Sequence, residues 1–231
     1  MNRAILSVRY PQYAERLQKL GYDIIPSEEI PCKMPYERDH VDLQCLILND
    51  TAFVLNRCQR LFKALSDRYH VIECGECFKG AYPYNVGLNA IFLDGKLLCR
   101  IKSLDDKVKE YCEKHNIKLL HVNQGYAKCS CAIVSDRALI TADQGIAKAL
   151  ADTSIDFLTI GEGSVELEGA KYGFIGGASG YDGDKRTLYF CGDIKRHPDY
   201  LKIKCFCDDH GTRIVSLSDD NLTDIGGIIL C

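Results

Sequence analysis

The chain has 231 residues, 46% hydrophobic and 26% charged. That balance excludes wholesale disorder and supplies a sizeable core without covalent staples. Basic and acidic residues nearly cancel, leaving a net charge of -3, so the broad basic footprint of a nucleic-acid binder is missing and a nucleic-acid partner is not expected. No apolar run reaches the ~18–20 residues of a spanning helix, and Arg3 interrupts the short apolar amino terminus. A soluble, cytoplasmic protein with no membrane partner is expected.

Thirteen cysteines are many for this length, and the number is odd. Cys45, Cys99, Cys112 and Cys191 lie inside apolar runs, where a thiol packs as a small hydrophobe. A disulfide scaffold would be shorter and poorer in core. Such use of thiols points to a reducing compartment.

In chain order, an apolar strand at 4–8 leads to a helix that opens at Pro11, carries Tyr13, Ala14, Leu17 and Leu20, and stops at Gly21. A strand follows at 23–25. Next comes a hairpin, 43–48 with 52–55, turning at Asn49-Asp50. A helix capped by Asn56 then shows Leu61, Phe62 and Leu65 on one face, before a strand at 70–72. A second hairpin, 88–93 with 96–99, turns at Asp94-Gly95, a strong hairpin signal. Ser103 and Asp106 resemble a capping box ahead of a helix with Val108, Tyr111 and Cys112 facing inward. A strand at 119–122 leads to a third hairpin, 131–134 with 138–140. Thr141 and Gln144 then open a helix with Ile146 and Leu150 on its face, followed by a strand at 157–160. A longer hairpin joins 172–175 to 187–190. The last helix runs from Pro198 to just before Gly211, and strands at 213–217 and 225–230 end the chain.

One unit therefore recurs: two hairpin strands, a helix and a third strand. The inner strands centre near residues 44, 89, 131, 174 and 227, at spacings of roughly 42 to 53 residues. The last strand has no partner after it, and the first has none before it; pairing 225–230 with 4–8 completes a fifth unit. Five ββαβ units closed by their own termini imply a ring, and so a single domain over 1–231. In this the sequence resembles the pentein, or guanidine-modifying enzyme, superfamily over its full length. The resemblance rests on architecture and repeat count. It implies an α/β fold, a five-bladed β/α propeller with pseudo-fivefold symmetry. It also implies either a hydrolase or transferase acting on a guanidino compound in a central channel, or a non-catalytic member, as in the ribosome anti-association initiation factor branch.

Catalytic penteins use a cysteine nucleophile near the carboxyl terminus, a histidine that moves protons, and carboxylates that fork a guanidinium. Asp224-Ile225-Gly226-Gly227-Ile228-Ile229-Leu230-Cys231 resembles the glycine-rich segment before the nucleophile of agmatine deiminases, with Leu230 where those enzymes carry a histidine. His40-Val41-Asp42 resembles the family's His-x-Asp motif, although it falls in the second unit here and in the third there. The resemblance thus implies Cys231, His40 and Asp224 as catalytic residues. Read from the residues alone, Cys231 is more simply a free thiol on a closing strand, and His40 a solvated loop histidine.

Aligning the units places Asp42, Val86, Lys128, Lys171 and Asp224 at the mouths of the five inner strands. Asp42 and Asp224 would hold a cationic group and Lys128 and Lys171 a carboxylate, which suits a small amino-acid-like ligand. Asn85, Asn89 and Asn123-Gln124-Gly125-Tyr126 are further polar residues leading into inner strands, and Asn89 is taken as a ligand contact.

Cys74-Gly75-Glu76-Cys77 is the only C-x-x-C, and a structural metal site normally shows two such pairs. Cys129 and Cys131 alternate along the expected strand and share one face, next in line as nucleophiles, whereas Cys205 and Cys207 on a helix do not face each other. No metal and no cofactor is implied. The glycine-rich stretch 172–185 lacks the order of a phosphate-binding loop and reads as a long, mobile hairpin tip, able to act as a lid.

Overall fold

The computed structural model describes residues 2–231. Five sheets of three strands follow one plan. Strands β1 (Asn2–Leu6) and β2 (Tyr22–Pro26) flank helix α1 (Pro11–Lys19). β3 (Cys45–Leu48), β4 (Thr51–Leu55), α2 (Gln59–Leu65) and β5 (His70–Cys74) form the next unit. β6 (Ile91–Leu93), β7 (Lys96–Cys99), α3 (Asp106–Lys114) and β8 (Lys118–His121) form the third. β9 (Cys131–Ser135), β10 (Ala138–Thr141), α4 (Gln144–Leu150) and β11 (Asp156–Thr159) follow, then β12 (Ser179–Asp182), β13 (Thr187–Phe190), α5 (Tyr200–Asp209) and β14 (Arg213–Ser216). In each sheet the middle strand pairs antiparallel with the inner one and parallel with the strand beyond the helix. The last strand, β15 (Ile229–Leu230), pairs antiparallel with β1, Ala4 opposite Leu230. The chain ends thus complete the fifth sheet.

Local chemistry explains most of these elements. Pro11 opens α1, Tyr13 and Leu17 bury one stripe, and Gly21 takes the left-handed conformation after the last turn. Asp94 and Gly95 both have positive φ, as a two-residue turn matching strand twist requires. Helices bury a stripe between their own sheet and a neighbouring one: Val108, Tyr111 and Cys112 are buried in α3, with Tyr111 edge-on to Phe53 of β4, and Ile146 and Leu150 of α4 share a core with Ile91, Leu93 and Leu98.

The structure corrects the sequence reading at the loops. Asn56, Ser103 and Thr141 do not cap helices. Asp105 caps α3 by accepting from Lys107 N, and Asp143 caps α4 by accepting from Ile146 N, while α2 starts after Cys58 with no side-chain cap. Residues 172–175 are not a strand. Their backbone donors go to loops instead, Gly173 N to Val165 O and Phe174 N to the Asp224 carboxylate. Nor is 172–185 a mobile tip along its length, since Gly176 is buried against the carbonyls of Lys128, Cys129 and Cys131, Gly177 against the Asp224 carboxylate and Gly180 against Ile228. Residues 225–228 leave the strand because Gly226 and Gly227 both have positive φ.

One cavity of about 240 Å³ is lined by the first strand of every sheet, β3, β6, β9, β12 and β15. The loops that lead into those strands carry the polar residues described next.

Candidate functional site

The 3₁₀ turn Val41–Leu43 precedes β3 and buries Asp42, which is 1% exposed. One of its carboxylate oxygens, Oδ2, accepts the Cys129 thiol at 2.7 Å; the other, Oδ1, is buried with no hydrogen-bond partner. Burial pushes the Asp42 carboxyl up to about 6, with nearby Asp224 adding to the rise and His40, the Cys129 thiol and Lys128 opposing it. Burial also pushes the Cys129 thiol well above its ordinary value, and the charges of Asp42 and Asp224 push the same way.

Asn89 ties the third and fourth units to this pair. Its Nδ2 donates to Cys129 Sγ and to Asp42 O, both at 3.2 Å, and its Oδ1 accepts from Lys128 N at 2.7 Å. Asp224 is equally buried and is held by backbone donors, Phe174 N and Gly226 N, each at 2.9 Å. A Cβ on Gly177 would stand 2.0 Å from Asp224 Oδ1, and one on Gly226 would stand 2.4 Å from His40 Cβ. Gly226 lets the last loop close over His40, and Gly177 lets the loop before β12 pack against Asp224. Asp42 N donates to Gly226 O at 3.2 Å, which joins the loops directly.

A second tier surrounds this centre. Glu37 is buried, accepting from Tyr126 OH at 2.6 Å and from Asn85 Nδ2 at 3.0 Å. Tyr126 stacks between Tyr82 and Phe174. Asp39 is buried, pairs with Arg9 at 3.1 Å and accepts from Ser7 Oγ.

Of the residues expected from sequence, the structure brings together His40, Asp42, Asn89, Lys128 and Asp224. It does not bring Cys231 or Lys171 to them. Cys231 is half-buried beside Tyr69, Arg68 and Arg3, and its backbone extends the pairing with β1. Lys171 is exposed, its amine over the Tyr172 ring. Its alignment failed because the inner strand of that unit begins at Ser179, not at residue 172. Cys129 precedes β9 in a turn, so it does not share a strand face with Cys131, which packs with Leu139 and Ile146. Glu37 and Asp39 were missed; their signal was the density of acids in Glu37-Arg38-Asp39-His40-Val41-Asp42.

Among the described residues no cluster of three or more His, Cys, Asp or Glu side chains is arranged to hold a metal, all thirteen cysteines are free, and no helix is long and apolar enough to cross a membrane.

The model of a family of unknown function, DUF6873, matches residues 5–229. The chain belongs to that family. No curated protein matches it significantly. Among solved structures it is similar to a dimethylarginine dimethylaminohydrolase adduct with 4-chloro-2-hydroxymethylpyridine, with a TM-score of 0.58 at 10% identity, covering 95% of this chain and 93% of that one. It is likewise similar to a variant of the enzyme from Pseudomonas aeruginosa complexed with citrulline, with a TM-score of 0.57 at 11% identity, covering 94% and 91%. A third, an adduct with S-methyl-L-thiocitrulline, gives 0.53 at 12% identity, covering 91% and 80%. At these identities the likeness is one of fold: this DUF6873 member has the pentein fold.

Proposed function

We propose that the chain is a single pentein domain whose five sheets close as propeller blades, and that it binds a small guanidino or amino-acid-like compound at Asp42 and Asp224. The observation that carries this reading is Asp42 Oδ1, a buried carboxylate oxygen with no donor. Leaving such an atom unpaired costs about 1–3 kcal/mol, and a guanidinium or ammonium N–H removes that cost. The cation would also hold Asp42 ionised, with Asp224 as the second carboxylate. The amino-acid-like ligands of two similar structures, citrulline and S-methyl-L-thiocitrulline, fit this class. The thirteen free cysteines support a reducing, cytoplasmic setting.

Cys129 is the thiol suited to chemistry there. With a guanidinium bound, its S–H proton passes to Asp42 Oδ2 and the sulfur attacks the guanidinium carbon. A carbon–nitrogen bond breaks, and the amine leaves with a proton returned by Asp42 or carried by His40. Water then attacks the S-linked carbon, restoring the thiol and releasing a ureido product. Asn89 holds the sulfur in place.

A second reading, binding without turnover, is favoured by the burial that keeps Cys129 protonated.

The test is calorimetry and mass spectrometry of the reduced protein with arginine, agmatine, methylated arginines and creatine-like guanidines. Binding should be lost in Asp42→Asn; turnover, if present, should be lost in Cys129→Ser and kept in Cys231→Ser. Binding with no turnover selects the second reading. Unchanged affinity in Asp42→Asn, or no guanidine binding at all, overturns both.

A further inference from the structure

Cys129 turns its thiol to Asp42, whereas its neighbour Lys128 lines the 240 Å³ cavity shared by the five inner strands. The walls of that cavity are largely apolar, including Leu46, Ala90, Ile91, Ile133, Ile228 and Ile229, and Lys128 is its single charged lining residue. Lys128 is half-buried. Among the described residues its Nζ makes no hydrogen bond, and no carboxylate lies within ion-pair reach. A Cβ on Gly227 would stand 3.6 Å from that nitrogen, which places the amine beside the turn into β15. An ammonium facing apolar walls with no direct ion pair, Asp42 acting on it only at a distance, is costly, and all three of its donors need acceptors.

The cavity also has an approach. Phe92, Ile133 and Tyr181 line both it and a wider cleft of about 740 Å³ that carries Arg137, Arg186 and His210. These shared side chains set the charged cleft next to the apolar wall and Lys128. Acids in the same cleft, Asp136, Asp156 and Asp209, make it a mixed surface and not an anion trap, so the selective charge is the deep one.

We propose that this cavity binds a compact apolar carboxylate, its tail among the inner strands and its carboxylate on Lys128 Nζ. The volume falls below the roughly 300–1,000 Å³ of drug-sized pockets, which limits the tail to a short chain or a single ring. This site lies on the strand side of the Lys128-Cys129 peptide and does not rest on the guanidine reading.

The chain has no tryptophan, so a Tyr181→Trp variant supplies one fluorophore on the cavity wall. Hexanoate is the probe, with acetate (charge without tail), hexanol (tail without charge) and hexylamine (opposite charge) as comparisons. Hexanoate should shift the emission of Tyr181→Trp saturably and bind the unmodified protein by calorimetry; the other three should bind at least about tenfold more weakly. Lys128→Met, which keeps the stem and removes the charge, should lose about tenfold or more in hexanoate affinity, and Lys128→Arg should recover part of it. Equal binding of hexanol and hexanoate to the unmodified protein, an affinity unchanged in Lys128→Met, or no hexanoate binding would each overturn the proposal. The first comparison needs no variant, so a misfolded Lys128→Met does not blunt the test.

Discussion

The Cys129 thiol donates to Asp42 Oδ2 at 2.7 Å across 87 residues of sequence, and the other Asp42 oxygen has no donor. The pair joins the second and fourth units, and Asn89 from the third holds both. A carboxylate so placed is expensive for the fold. It is held where an apolar side chain would stabilise more, and that is the physical ground for reading it as functional.

Asp42 sets a pH dependence whose sign follows from its raised carboxyl. Its ordinary value is 3.8 and its folded value about 6, so between these pH values the folded state binds more proton than the unfolded one. Stability therefore falls as pH rises through that window and levels off above it. The shift corresponds to about 3 kcal/mol for this buried group. Asp42→Asn, neutral at every pH, should be more stable than the unmodified protein at pH 7.5, with the difference shrinking as pH falls and vanishing only below about pH 3. Urea denaturation of both proteins across that range reads it, and a constant difference would contradict the assignment.

Gly177 is required by space and not by backbone conformation. Its φ is unremarkable, yet a methyl there meets Asp224 Oδ1 at 2.0 Å. Gly177→Ala must push Asp224 off the donors Phe174 N and Gly226 N or move the loop. A loss of about 2–3 kcal/mol is expected, together with weakened guanidine binding. Gly183→Ala has only the Tyr181 ring at 3.8 Å to meet and should be nearly neutral. Denaturation midpoints of the two variants check this; equal midpoints would remove the steric argument.

Elements whose causes are local were legible in the sequence. Asp94-Gly95 states its turn, Pro11 and Gly21 bracket a helix, and the short apolar run 131–134 ahead of Ser135-Asp136 states a strand. The equal plan of the units then implied that the termini pair, as Ala4 and Leu230 do. What was illegible depends on contacts between units. Gly176 is packed against the carbonyls of Lys128, Cys129 and Cys131, and no property of the segment 172–177 alone announces that. Hence the misplaced inner strand and the misassigned Lys171. Cys129 could be named as a thiol of interest, but its partner lay in a distant loop.

The helix caps give a small, sharp test of the same point. Ser103 with Asp106 looks like a capping box, yet Asp105 accepts from Lys107 N at 3.0 Å and from Gly75 N at 2.8 Å. Asp105→Ala should cost about 1–2 kcal/mol, because it frees a helix donor and a turn donor together. Ser103→Ala should change stability by less than about 0.5 kcal/mol. The reverse order in thermal unfolding would restore Ser103 as the cap.

Thiol accessibility separates Cys129 from its twelve companions. Cys77 and Cys205 are exposed, Cys231 is half-buried, and the other ten are buried. Alkylation requires the thiolate, and burial pushes Cys129 further from ionisation while two carboxylates add to the effect. Iodoacetamide at neutral pH should therefore label Cys77 and Cys205 first, Cys231 more slowly, and Cys129 only on unfolding. A guanidinium bound at Asp42 alters this balance in one direction, since its positive charge favours the thiolate. A chloroacetamidine, which carries that cation together with a leaving group, should label Cys129 in the folded protein, and Asp42→Asn should abolish that labelling. Peptide mapping after each reagent decides it. Early labelling of Cys129 by iodoacetamide would show an open, ionised thiol, at odds with the buried pair. A chloroacetamidine that spares Cys129 in the folded protein would leave the thiol without a chemical role and leave Asp42 as a binding residue alone.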